Sequence, residues 1–321
     1  MLDLKTLSLF LLLTLPFSIS YADGHKNLTA EDIKAMADEL SNWGRWGDDD
    51  EKGALNLITP QKRIEAAALV KEGISISLAR DVLKTIAPDN PRPFMHTMVG
   101  MGPQWNSDNF SVSYHGFAHS HIDALCHYIH QGRMYNGFSS DFVSKEGAAK
   151  LDVRNMKEGI FTRGVLIDAT KFKGVKYLEP GTALFPEDLD SWEEMVGVKI
   201  KSGDAVILYT GRWARRDDLG PWPGGAGGLY ASCARWLKER DIAVIGSDAG
   251  SDVSPSGVEG VSSPIHMMML YVMGVPILDC LELERLAEKC DELNRYDFLL
   301  TVAPIPVEGG TGSPLNPIAT F

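Results

Sequence analysis

Five of the chain's eight histidines fall within sixteen residues, at His115, His119, His121, His127 and His130, with Asp123 among them. Imidazole is the side chain whose charge changes nearest neutral pH, and it is a frequent metal ligand. Burying several imidazoles without partners is costly, so clustering of this kind points to chemistry rather than packing. If residues 115–123 are extended, His115, Phe117, His119, His121 and Asp123 share one face, because side chains alternate along a strand. If the chain turns helical at Asp123, then Asp123, His127 and His130 share a face at i, i+4 and i+7. Imidazoles with a carboxylate and no thiolate cluster suit a divalent Zn or Mn ion with a position left open for water. Such an ion activates water near neutral pH, so the chemistry implied is hydrolysis.

The run Ser120-His121-Ile122-Asp123-Ala124-Leu125-Cys126-His127 resembles the T-H-x-D-x-P-x-H core of the cyclase family of metal-dependent hydrolases. That family includes bacterial kynurenine formamidase and isatin hydrolase. Its signature, H-x-G-T-H-x-D-x-P-x-H, is altered here. Phe117 stands where the first ligand histidine is expected, His119 where the glycine is, and Leu125 where the proline is. The resemblance implies that His121 and Asp123 hold metal and that His127 is a ligand or the acid/base. His119 is the first substitute for the missing ligand, since an extended chain would put it on the face of His121 and Asp123. His115 is the second, because His115 and His119 repeat the H-x-x-x-H spacing two residues early.

A second patch lies at Pro264-Ile265-His266 and Asp279, with Glu282 three residues on. His266 matches a family histidine that precedes a short helix. Asp279 falls near a family glutamate that completes a second metal position, one methylene shorter. The segment from Trp43 to Pro60 resembles the family's entry segment, which walls the mouth of the site. Phe117 and Trp105 are the candidates for holding a flat substrate, with His115 beside them. The resemblance also implies a swivelling β/β/α single domain over residues 23–321 and suggests a homodimer.

The elements that must position these residues read as α/β. Thr29-Ala30-Glu31-Asp32 opens a helix to Leu40, and Thr59-Pro60 opens another to about Glu72. Residues 74–78 alternate as a strand. The apolar runs at 164–168, 203–212 and 242–248 read as buried strands, and 186–197 and 231–240 as helices between them. Strand and helix in alternation give an α/β class. Residues 94–110 mix methionine and aromatic residues and read equally as core or as pocket lining. Residues 132–137 form a tight turn placed to close over the site. The Gly/Pro-rich tail, 308–317, is expected to extend over the site rim or a neighbouring subunit.

Lys5 precedes an apolar run too short to span a membrane, and Ser20 and Ala22 offer small residues for cleavage. Residues 1–22 therefore read as a signal peptide and the protein as exported, to a bacterial periplasm. The net charge of −12 argues against nucleic acid and anionic membrane surfaces as partners, leaving a small-molecule substrate. Four cysteines are too few for a disulfide scaffold, and Cys126 invites a test as a nucleophile. No dinucleotide fingerprint, phosphate-binding loop or serine elbow occurs. The leading expectation is metal-dependent hydrolysis of a cyclic or N-formyl amide on an aromatic system. The rival is a periplasmic metal or small-ligand binding protein on the same frame.

Overall fold

The computed structural model describes residues 27–321, so the expected signal peptide lies outside them. The first helix, Ala30–Leu40, begins where Thr29 and Asp32 cap one another: the Asp32 N–H donates to Thr29 Oγ1 and the Thr29 N–H to Asp32 Oδ2. Its Ile33, Met36 and Leu40 recur at helical spacing and are the residues it buries. The second, Pro60–Ala67, starts on Thr59 as expected but stops before Glu72. The Leu69 carbonyl just beyond its end is taken by Arg295 instead.

A mixed α/β single domain forms around a curled sheet of nine strands. In spatial order these are Ser75–Ser77, Ile318–Thr320, Asp297–Val302, Ile160–Asp168, Ala205–Tyr209, Val244–Ser247, Ile277–Asp279, His121–Asp123 and Gly312–Pro314. The four strands from Ile160 to Asp279 run parallel, and antiparallel strands flank them on both sides. Every residue of 205–209 and 244–247 is buried, as a parallel sheet covered on both faces requires. Helices Pro186–Val196 and Arg212–Leu219 pin themselves to this sheet through indoles. Trp192 donates to the Leu166 carbonyl and Trp213 to that of Leu281. The Met267–Met269 run is buried core. No helix among the described residues is long and apolar enough to cross a membrane.

Three local expectations change. Residues 94–110 are neither core nor lining of the histidine cavity: Met95–Met101 and Asn106–Ser111 form a two-stranded hairpin whose side chains are almost all exposed. Trp105 sits at its turn, 75% exposed. The turn around Asn136 does not close over the site, because its amide is tied to the carbonyls of Gly47, Asp48 and Asp50. The tail is built into the sheet at the edge of the site, where Thr311 Oγ1 lies 2.9 Å from His115 Nε2, rather than laid over it. Its residues Gly312–Pro314 are a strand of the main sheet, paired with His121–Asp123.

Candidate metal centre

The three-residue strand His121-Ile122-Asp123 is the floor of the site. Alternation turns His121 and Asp123 to one face and Ile122, fully buried, to the core. That isoleucine contributes about 2 kcal/mol by its burial and fixes the register, since a slip of one residue would put His121 and Asp123 into the core. Ile277–Asp279 pairs with this strand so that Asp279 lies opposite His121. On the other side, Gly312 lies opposite Asp123, where a β-carbon would stand 3.2 Å from the His115 ring and 2.3 Å from the Ile122 carbonyl oxygen. Gly250 and Asp252 arrive on the loop after Val244–Ser247, and Asp279 ends its own strand. The site therefore opens at the carboxyl ends of central parallel strands, where α/β sheets commonly bind ligands.

These residues line a cavity of about 190 Å³ with His115, Phe117, His121, Asp123, His127, Gly250, Asp252, His266 and Asp279 on its walls. Two groups of donors converge within 4.8 Å of one another and share Asp123: His115, Asp123 and His127, and His121, Asp123 and Asp279. Nδ1 of His115 lies 2.9 Å from Asp123 Oδ1, Nε2 of His121 lies 3.5 Å from the same oxygen, and Nε2 of His127 lies 3.7 Å from Oδ2. The His115 and His127 rings stack at 4.0 Å, and His266 Nε2 is 3.4 Å from Asp279 Oδ2.

A divalent ion fits this donor set. His115 Nδ1, Asp123 Oδ1 and Asp279 Oδ1 are buried polar atoms with no well-aligned hydrogen-bond partner, and native proteins seldom leave such atoms orphaned. Nitrogen and carboxylate oxygen without thiolate match Zn or Mn chemistry. Gly250 leaves room: a β-carbon there would come within 3.4 Å of His266 and 3.8 Å of Asp279 Oδ2.

Electrostatics prepare the carboxylate to bind a cation. Burial would push the Asp123 carboxyl up, but the adjoining His115 ring and the charges of His121, His127 and His115 take it well below its ordinary value. For His127, burial outweighs the attraction of Asp123 and lowers its value, favouring the neutral imidazole. His266 goes the other way: burial would lower it, but Asp252 and Asp279 raise it well above the ordinary value.

The sequence-derived site residues separate into two sets. His121, Asp123, His127, His266, Asp279, His115 and Phe117 come together around the cavity. His119 and Trp105 do not. Residues 115–119 form a turn rather than a strand, so alternation does not carry His119 to the face of His121. Its ring lies 6.3 Å from that of Phe94 and faces a separate hollow beside Arg80 and Leu315. The same turn folds His115 back over Asp123. His130 lies beside Tyr271, away from the cavity. All four cysteines are free and buried, and burial pushes the Cys126 thiol up to about 12, which disqualifies it as a nucleophile near neutral pH. Two acids of the Trp43–Pro60 segment are structural: Asp50 accepts from Gly53 and Asn56, and Glu51 pairs with Lys150. Sequence reading missed Asp252 and Gly250, which carry no motif and meet the site through a loop.

Comparison with known proteins agrees with this geometry. The family model described as "Putative cyclase" matches residues 13–252. A crystal structure described as a novel cyclase is 31% identical, covers 88% of this chain and all of its own, and superposes with a TM-score of 0.81. Isatin hydrolase A from Ralstonia solanacearum is 24% identical over 77% of this chain and 91% of its own, with a TM-score of 0.54. Isatin hydrolase A from Labrenzia aggregata is 23% identical over 79% and 94%, at 0.57. These two share the fold. No curated protein sequence matches the chain. The family match includes the His121–Asp123 strand and His127, and the nine-strand sheet is that of its solved relative, so this chain belongs to the cyclase family.

Proposed function

We propose that the protein is a metal-dependent hydrolase of amide bonds, cyclic or N-formyl and attached to an aromatic system. The observation that carries this reading is a difference among the four imidazoles of the cavity. His115 has its outward Nε2 2.9 Å from Thr311 Oγ1, His121 its Nδ1 2.7 Å from the His119 carbonyl, and His266 its Nδ1 on Asp252. Such outer partners fix ligand histidines and set which nitrogen faces the metal. The His127 ring has no hydrogen bond among the described residues, and a third of its side chain is exposed. Three imidazoles are held as ligands are held, and one is free to exchange a proton with solvent.

In this reading His121, Asp123 and His115 hold one Zn or Mn ion, with Asp279 and His266 completing its surroundings. A divalent ion there would polarise a substrate carbonyl and bring the acidity of water to near neutral pH. His127, neutral through its burial, takes the proton from the attacking water and returns it to the departing nitrogen. A positioned group of this kind contributes about 10²–10⁴-fold. Phe117, on the cavity wall, offers its ring to a flat substrate. The rival reading, a carrier without turnover, needs a closed four-ligand site. The cavity and the untethered His127 favour an open one.

The test is metal content by mass spectrometry on protein purified without chelator, with turnover of formanilide-type and isatin-type amides. We expect one ion per chain, lost in His121→Ala, and hydrolysis that depends on it. A fully loaded protein that turns over no amide would favour the carrier. Two further proposals accompany this one. The protein is exported, as its first 22 residues suggest, which N-terminal sequencing of the secreted form checks. It also pairs with a second copy through the 95–111 hairpin. A two-stranded ribbon is marginal alone in water, and this one exposes Met95, Val99, Met101, Trp105 and Phe110. Its only acid, Asp108, is paired with His96, so the net charge of −12 does not oppose contact there. Light scattering of Met101→Asp and Trp105→Asp variants checks it.

A further inference from the structure

Asp252 has no place in the family signature and carries no motif, yet it controls how His266 meets the cavity. Its Oδ2 is 2.5 Å from His266 Nδ1. The same carboxylate accepts the Ile265 N–H at 2.6 Å on Oδ1 and the His266 N–H at 3.1 Å on Oδ2. It therefore satisfies the start of the helical segment from Pro264 and holds its third side chain, that of His266, facing the site. The residue itself is only 7% exposed and is clamped. Its N–H donates to the Gly250 carbonyl at 2.6 Å, and it bridges to Leu229. At Gly228, any β-carbon would stand 2.6 Å from the Asp252 carbonyl carbon, so only glycine admits this approach. With Nδ1 held from behind, Nε2 faces the cavity and lies 3.4 Å from Asp279 Oδ2.

We propose that Asp252 is the positioning residue of the centre: it fixes the His266 imidazole with Nε2 toward the cavity and so sets how tightly the His266–Asp279 side holds a divalent ion. This rests on the metal reading above. An imidazole free to rotate about its own bonds presents the right nitrogen only part of the time. Outer partners of ligand histidines are typically worth about 10–100-fold in metal affinity.

Asp252→Asn separates this role from capping in part, because its single amide oxygen keeps one of the two backbone acceptors that Asp252→Ala loses together. Its amide can meet Nδ1 with either an acceptor or a donor, which unlocks the tautomer. Zinc affinity is measured by chelator competition, and the apo imidazole nitrogens by 15N NMR at a pH high enough to make the His266 ring neutral, above its raised titration. We expect wild-type His266 to be protonated at Nδ1 alone. In Asp252→Asn we expect a tautomer mixture and zinc binding weaker by about 10–100-fold, with a melting temperature between those of wild type and Asp252→Ala. Asp252→Ala, which loses cap and orienter together, should weaken zinc as much and melt earlier. Wild-type tautomer and zinc affinity in Asp252→Asn would overturn the proposal and leave Asp252 as a cap. If wild type takes up no zinc, the metal reading fails by itself, and the apo tautomer still decides whether Asp252 orients the ring.

Discussion

His96 and His115 each lie beside an aspartate, His96 at 2.7 Å from Asp108 and His115 at 2.9 Å from Asp123. The two segments that carry them both mix histidine with aromatic and small residues. Their fates differ because one is exposed and the other converges on a buried carboxylate. Asp108 is 55% exposed at its side chain and Asp123 1%. In water the hairpin pair is screened and either partner can be solvated instead. In the cavity, Asp123 has no solvent to turn to, and Oδ1 is left without an aligned partner among several imidazoles. The lesson is that a His–Asp distance says little about chemistry until burial and the unmet valence of the atoms are known.

Four changes would break or sharpen that contrast. The largest effect belongs to Asp123→Ala, which removes the carboxylate shared by both donor groups. Metal should be lost and turnover fall by about 10³-fold or more, taking several kcal/mol of stabilisation at tenfold per 1.4 kcal/mol; metal analysis and initial rates check it. His127→Ala should lower kcat by about 10²–10⁴-fold while the metal stays bound. Loss of metal in that variant would make His127 a ligand. The third is the pH profile. A base must be neutral to act, and burial lowers His127 from 6.5, so kcat/KM should rise with pH and level off below pH 6.5, with this limb absent in His127→Ala. The smallest change is His96→Ala on the hairpin. It should leave turnover and metal content untouched and move stability by less than about 0.5 kcal/mol, as denaturant titration would read.

Much of the centre was legible because it is local. The capped helices at Thr29 and Thr59, the buried apolar strands and the alternation of His121, Ile122 and Asp123 each follow from a few neighbouring residues. The His127 position survived for a related reason, although a short 3-10 turn rather than an α-helix delivers it. The misplacements share a cause. Assigning His119 to the site assumed that the strand continued back through residue 115, and a turn there reverses which side chains face Asp123. Trp105 and the methionines of the hairpin have the composition of a pocket, but composition does not say whether another layer covers a ribbon.

By itself, the sequence determined the α/β class and singled out the His121–Asp123 strand as the candidate site, since residue type and short periodicity are properties of adjacent residues. Only the tertiary structure decided which distant groups complete the site. Asp279 stands opposite His121 because two strands more than 150 residues apart pair in one register. Asp252 reaches His266 because a loop closes behind it, and Gly312–Pro314 of the tail becomes a strand because the edge beside His121–Asp123 has backbone groups to satisfy. Register and loop closure are settled by the packing of the whole sheet, which no window of sequence contains.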